Sequence, residues 1–183
     1  RLPRRLSYEE ARAVLEAHER ELQRDLAKRT DAEPEMLYYL AENGDVTTRR
    51  AVAFNPTTPA EANRFLAEDV DNEVRVDLAR KIGRLLPELM VSERERVTQL
   101  TIETLERLAA DQMVRVRAVL AEEIKALDCV PKHIVLQMAR DVEEVVYAPI
   151  LEYSPLLSDA DLRSEEHTSE LQSHHDLVCR LLL

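Results

Sequence analysis

Apolar positions in this chain recur with the spacing of a helix face rather than the alternation of a strand. After Ser92, the residues Val97, Leu100, Thr101, Leu105 and Leu108 fall on one side of a helix and predict a buried stripe. Start and stop signals bracket such stretches. Ser7-Tyr-Glu-Glu10, Thr58-Pro-Ala-Glu61 and Ser92-Glu-Arg-Glu95 each read as a capping box. In that motif a hydroxyl accepts from an unpaired amide while the glutamate reaches back to the cap. Pro59 then takes the first helical position, where its missing N–H costs nothing. Helices are expected to begin near Ser7, Pro34, Thr58 and Ser92. Asn55-Pro56, Leu86-Pro87 and Ser154-Pro155 are expected to end them, since a residue before proline avoids the α region.

Laid over itself, the chain shows a recurring motif. Asp45-Val-Thr-Thr-Arg49, Asp71-Asn-Glu-Val-Arg75 and Asp111-Gln-Met-Val-Arg115 each run into a short Ala- and Val-rich segment. Asp141-Val-Glu-Glu-Val145 is a degenerate fourth copy. The copies lie 26, 40 and 30 residues apart, and Leu40-Ala-Glu-Asn43 repeats as Leu66-Ala-Glu-Asp69 at the first of these periods. Such periods predict a solenoid, in which each pair of helices buries its apolar face against its neighbours. The repeated aspartates should each open a helix. Ala53 and Ala79 should sit where adjacent helices approach closely. The expected fold is therefore all-α, built from about five antiparallel helix pairs.

Composition narrows the functions available. Two glycines, Gly44 and Gly83, stand against eight prolines in 183 residues. Phosphate-cradling loops and dinucleotide-binding turns need glycine at fixed, close spacings, so P-loop and Rossmann readings are excluded. A net charge of −11 leaves no broad basic footprint for nucleic acid or an anionic membrane. No apolar run is long enough to cross a bilayer, and no signal peptide is visible. Cys129 and Cys179 are too few for a disulfide framework.

The motif Asp-x-x-Val-Arg-x-x-Leu-Ala resembles HEAT-like repeats. Leu6-Ser-Tyr-Glu-Glu-Ala-Arg12, Leu37-Tyr-Tyr-Leu-Ala-Glu42, Asn55-Pro-Thr-Thr-Pro-Ala60, Val74-Arg-Val-Asp-Leu-Ala-Arg-Lys-Ile82 and Leu151-Glu-Tyr-Ser-Pro155 are together similar to a bacterial family, the domain of unknown function 2336. The similarity spans Leu6 to Leu162. It implies a HEAT-like α-solenoid, a right-handed superhelix of helix pairs, in a cytoplasmic bacterial protein, and it implies no activity. From Arg163 the character changes, and Arg163-Ser-Glu-Glu-His-Thr-Ser-Glu-Leu-Gln-Ser-His174 looks like the translation of a sequencing-library adapter. Residues 1–162 therefore read as a repeat domain cut from a longer protein, and 163–183 as a non-native tail. The tail holds His167, His174, His175 and Cys179, a set suited to zinc by ligand type but poorly spaced. It is read as a chance cluster, so no metal and no cofactor is expected.

Elsewhere each candidate has a structural reading beside its functional one. Arg49, Arg75 and Arg115, four residues after Asp45, Asp71 and Asp111, could grip an anion, or could form a ladder of Asp–Arg pairs within and between repeats. The ladder is preferred. Arg50, Arg80 and Arg117 could form a locally basic strip for a partner. Of the adjacent Tyr38 and Tyr39, one ring can pack inward while the other lies near the surface as a recognition contact, and Tyr38 joins the three arginines as a candidate. Glu9-Glu10, Glu122-Glu123 and Glu143-Glu144 read as solvated helix surface, because neighbours on a helix diverge by about 100°. Cys129 with His133 could make a nucleophilic pair, but nothing supplies an orienting group, and a linker thiol is preferred. The expected function is a non-catalytic scaffold that binds a protein partner. An accessory domain of an enzyme whose catalytic part lies further along the gene is the alternative, and a nucleic-acid-binding HEAT-like domain is a third.

Overall fold

The computed structural model describes residues 8–16, 19–91, 94–158 and 160–161. Among these every regular element is a helix: α1 (Tyr8–Glu16), α2 (Arg20–Ala27), α3 (Pro34–Asn43), α4 (Val46–Phe54), α5 (Ala60–Leu66), α6 (Asn72–Met90), α7 (Glu95–Ala109), α8 (Val114–Ile124), α9 (Lys132–Ala139) and α10 (Glu144–Tyr153). The chain is all-α.

Local chemistry sets most helix ends. Pro34 occupies the first turn of α3, where a missing N–H is harmless. The Asp45 carboxylate accepts from Thr48 N at 2.8 Å at the start of α4. That of Asp71 accepts from Glu73 N and Val74 N at the start of α6. Asn55 and Ser154, each before a proline, are extended and close α4 and α10.

Three expectations about helix ends need correction. Leu86-Pro87 does not stop α6, which runs on to Met90. Proline there removes one hydrogen bond in the last turn, and the fully buried Leu86 outweighs the local preference. Thr58 and Glu61 do not form a capping box: α5 is preceded by Pro59, and the Thr58 hydroxyl donates instead to Val52 O at 2.7 Å. Asp111 acts two residues early. Its carboxylate accepts from Met113 N, and Met113 is the residue that leads into α8. The Ser7 and Ser92 boxes fall outside the described residues.

The helices pack in a regular order. Each even-numbered helix from α2 to α10 contacts the next even-numbered one, and α3, α5, α7 and α9 do the same. Successive helices also touch within each pair. Leu37, Leu40, Leu66, Leu78, Ile82, Leu105, Leu108, Leu120, Ile124 and Ile134 are fully buried and come from both series. Ala53 and Ala79 are fully buried as well. A Cβ added at Gly83 in α6 would come within 2.5 Å of the Glu123 Cβ in α8, so this glycine permits a close approach of two even-numbered helices.

Candidate functional site

The repeated charges form a ladder, in a register different from the one the spacing suggests. Arg49 donates through Nε and Nη2 to the two carboxylate oxygens of Asp69, at 2.6 and 3.1 Å. Arg75 grips Asp111 the same way, at 2.6 and 3.1 Å. Arg117 grips Asp141 at 2.6 and 3.0 Å. Each arginine uses Nη1 on a backbone carbonyl just before its own helix: Gly44 O, Asp69 O and Asp111 O respectively. Each aspartate also accepts the amide two residues on, from Asp71, Met113 and Glu143. One carboxylate therefore orders the entry to its own even-numbered helix and receives the guanidinium of the preceding one. The aspartates are almost fully screened from solvent and the arginines largely so. Burial works against the Asp141 carboxylate, but Arg117 and the amides outweigh it and hold the group below the usual carboxylate range.

This places the predicted residues as follows. Arg49 and Arg75 are ladder arginines, but their carboxylates are Asp69 and Asp111 of the next unit, not Asp45 and Asp71. The third ladder position belongs to Arg117. Arg115 lies two residues away on the exposed side of α8 and pairs with Glu73. Arg117 is consequently part of the internal framework and is not available as a surface contact. Arg50 reaches Asp77 at 2.7 Å and Glu73 at 3.9 Å, while Arg80 reaches Asp77 at 3.7 Å. Together with Arg84 on Glu123 they make the outer face of the even-numbered helices a mesh of opposite charges.

A second set of cross-links ties the C-terminal end of α4 to the end of α2 and to the middle of α6, and sequence reasoning missed it. Asn55 follows α4 and donates through Nδ2 to Ala27 O and Arg29 O at the end of α2, both at 2.8 Å. Its Oδ1 accepts from Thr57 N and Oγ1 at 2.9 Å, which holds the following turn. One unit later, Lys81 of α6 donates to Asn55 O at 3.1 Å and to Asn63 Oδ1 at 2.6 Å. Asn63 in turn donates to Thr58 O. Lys81 is 5 % exposed, and burial lowers its pKa to about 7. The signal was present in the spacing, because Asn55 and Lys81 each stand six residues after a ladder arginine.

The outer face of the odd-numbered helices has another character. Tyr38 of α3 lies half-buried against Phe65 of α5, with ring centroids 6.5 Å apart and tilted by 44°. Its phenol pKa is raised, first by the nearby Glu42 carboxylate and then by burial, with Glu61 adding to both. Tyr39 and Phe65 are exposed. Further along, Arg64 pairs with Glu68 and Glu103, Arg96 with Glu61, Arg107 with Glu68, and His133 with Glu106. Tyr38 and the pair Arg50 and Arg80 thus belong to different helix series.

Candidates for chemistry are engaged elsewhere. His133 Nε2 meets Glu106 at 2.8 Å, and burial pushes the half-buried Cys129 thiol up, away from the thiolate a nucleophile needs. Glu122 holds Lys125, Glu123 holds Arg84, and Glu9, Glu10, Glu143 and Glu144 are exposed. Among the described residues no group of three or more His, Cys, Asp or Glu side chains could hold a metal, and no helix is long and apolar enough to cross a membrane. His167, His174, His175 and Cys179 lie outside those residues. Comparison with family models, with curated proteins and with solved structures finds no match for this chain.

Proposed function

We propose that this chain is a HEAT-like α-solenoid, wound as a right-handed superhelix, that serves as a non-catalytic scaffold for a protein partner. The observation that carries the reading is the packing order, in which even-numbered helices touch even-numbered ones and odd touch odd along the chain. Units that contact chiefly their neighbours build an extended surface without a central cavity, which suits recognition of another macromolecule more than enclosure of a small substrate. The charged side chains support the same reading. The ladder arginines and Lys81 hold helices together, and most outer charges are paired with one another. In this reading the protein is a cytoplasmic bacterial one, akin to the domain of unknown function 2336.

Affinity capture with the full-length protein tests it. The scaffold reading requires a protein retained above the level seen with an unrelated helical-repeat control. Failure to retain one, or turnover of a substrate by this region that a single Cys129→Ala or carboxylate substitution abolishes, rejects it.

A further inference from the structure

We propose that the aromatic pair Tyr38 and Phe65, rimmed by Glu42 and Glu61, docks an arginine-bearing segment of a partner protein. The inference rests on the scaffold reading and names the chemistry its surface selects. Phe65 leaves 44 % of its surface in water at the second-last position of α5. Tyr38 is half-buried, with its ring against that of Phe65 and its phenol beside the Glu42 carboxylate. Rings fixed in this way lose little freedom when a partner covers them, which is the character of an interface anchor.

Charge then selects the occupant. Helices α3 and α5 carry Glu35, Glu42 and Glu61 against one cation, Arg64, which is occupied by Glu68 at 2.7 Å and Glu103 at 3.5 Å. Glu61 meets Arg96 at 3.2 Å, but that arginine is 80 % exposed and the bridge is of the weak surface kind that an incoming cation can displace. The contrast with the even-numbered face is what makes the patch selective. There Glu73, Asp77 and Glu123 already hold Arg50, Arg80, Arg84 and Arg115, so an incoming cation would compete with four of the chain's own. Arginine fits better than lysine, because its planar guanidinium stacks on an aromatic face while donating in a fork to a carboxylate.

A fluorescein-labelled decapeptide of alternating arginine and leucine is the probe, with the same peptide carrying uncharged citrulline for arginine as its control. Binding to the full chain is followed by fluorescence anisotropy and by amide shifts of the isotope-labelled protein. The expected result is binding of the arginine peptide with shifts concentrated on residues 35–43 and 60–66. Citrulline should weaken it by about tenfold or more. Phe65→Ala should weaken it by a similar factor, and so should the paired change Glu42→Gln with Glu61→Gln, which spares the rings. Phe54→Ala, an exposed aromatic at the end of α4, should leave it within about twofold. Absence of binding overturns the proposal, as does equal binding of the citrulline peptide, indifference to Phe65→Ala, or shifts centred elsewhere. Partner capture by the Phe65→Ala protein separates the two readings: undiminished capture removes this patch and leaves the scaffold standing.

Discussion

Lys81 places an amine among neutral oxygens, Asn55 O and Asn63 Oδ1, deep in the joint between α4, α5 and α6. A neutral amine has two N–H donors, which these two acceptors satisfy, whereas the ammonium brings a charge and a third donor. That is the physical meaning of a pKa lowered from 10.5 to about 7. Between those pH values the unfolded chain holds a proton that the folded chain does not, so stability rises with pH across the interval. Below about pH 7 both states hold the proton, and this contribution is flat. Denaturant melts at pH 7 and pH 9 should show a gain of about 2 kcal/mol, absent in Lys81→Met. An equal gain in the variant would assign the effect to other groups. Gly83 offers a second test at this scale. Alanine there meets the Glu123 Cβ at 2.5 Å, and the overpacking, about 1–3 kcal/mol, should exceed the helix propensity gained. A melt of Gly83→Ala that shows stabilisation would contradict the close approach.

At the scale of elements, the ladder makes a sharp distinction between Arg75 on α6 and Arg115 at the equivalent motif position on α8. Arg75→Ala strands the Asp111 carboxylate, which is nearly buried, and should cost about 3–5 kcal/mol. Arg115→Ala removes an exposed partner of Glu73 and should stay within about 1 kcal/mol. Urea melts of the two variants check this, and equal costs would refute the register. Helix starts at Pro34, Asp45 and Asp71 and helix ends at Asn55 and Ser154 were legible because each depends on two or three adjacent residues. The pairing was not. The ladder is expected within and between repeats, and the four-residue spacing gives no way to choose; all three pairs lie between units, 20, 36 and 24 residues apart. The separation varies because both helices of a unit vary, from nine and seven residues in α4 and α5 to nineteen and fifteen in α6 and α7. Thr58 was misread for a related reason: its hydroxyl had a buried carbonyl to satisfy, and tertiary demand overrode the local motif. Phe65 escaped notice because a lone phenylalanine in a helix carries no local signal, and Lys81 because its six-residue offset from Arg75 shows only when units are compared.

Across the whole molecule, neighbour-to-neighbour joints should make stability local. Loss of Arg117 loosens the link from α8 to α10. Hydrogen exchange of Arg117→Ala should then lose protection in α8, α9 and α10 while α2, α3 and α4 keep theirs. Uniform loss along the chain would describe one cooperative core instead. The same division of labour underlies the functional account: buried charges and amides join the helices, and the outer face of α3 and α5 is the one proposed to meet a partner. Hydrogen exchange on the full-length protein, alone and with the partner it captures, tests that account most directly. The account predicts new protection on the odd-numbered helices, strongest in α3 and α5, with the ladder residues unchanged. Protection confined to the even-numbered face, or no protein captured at all, would contradict it.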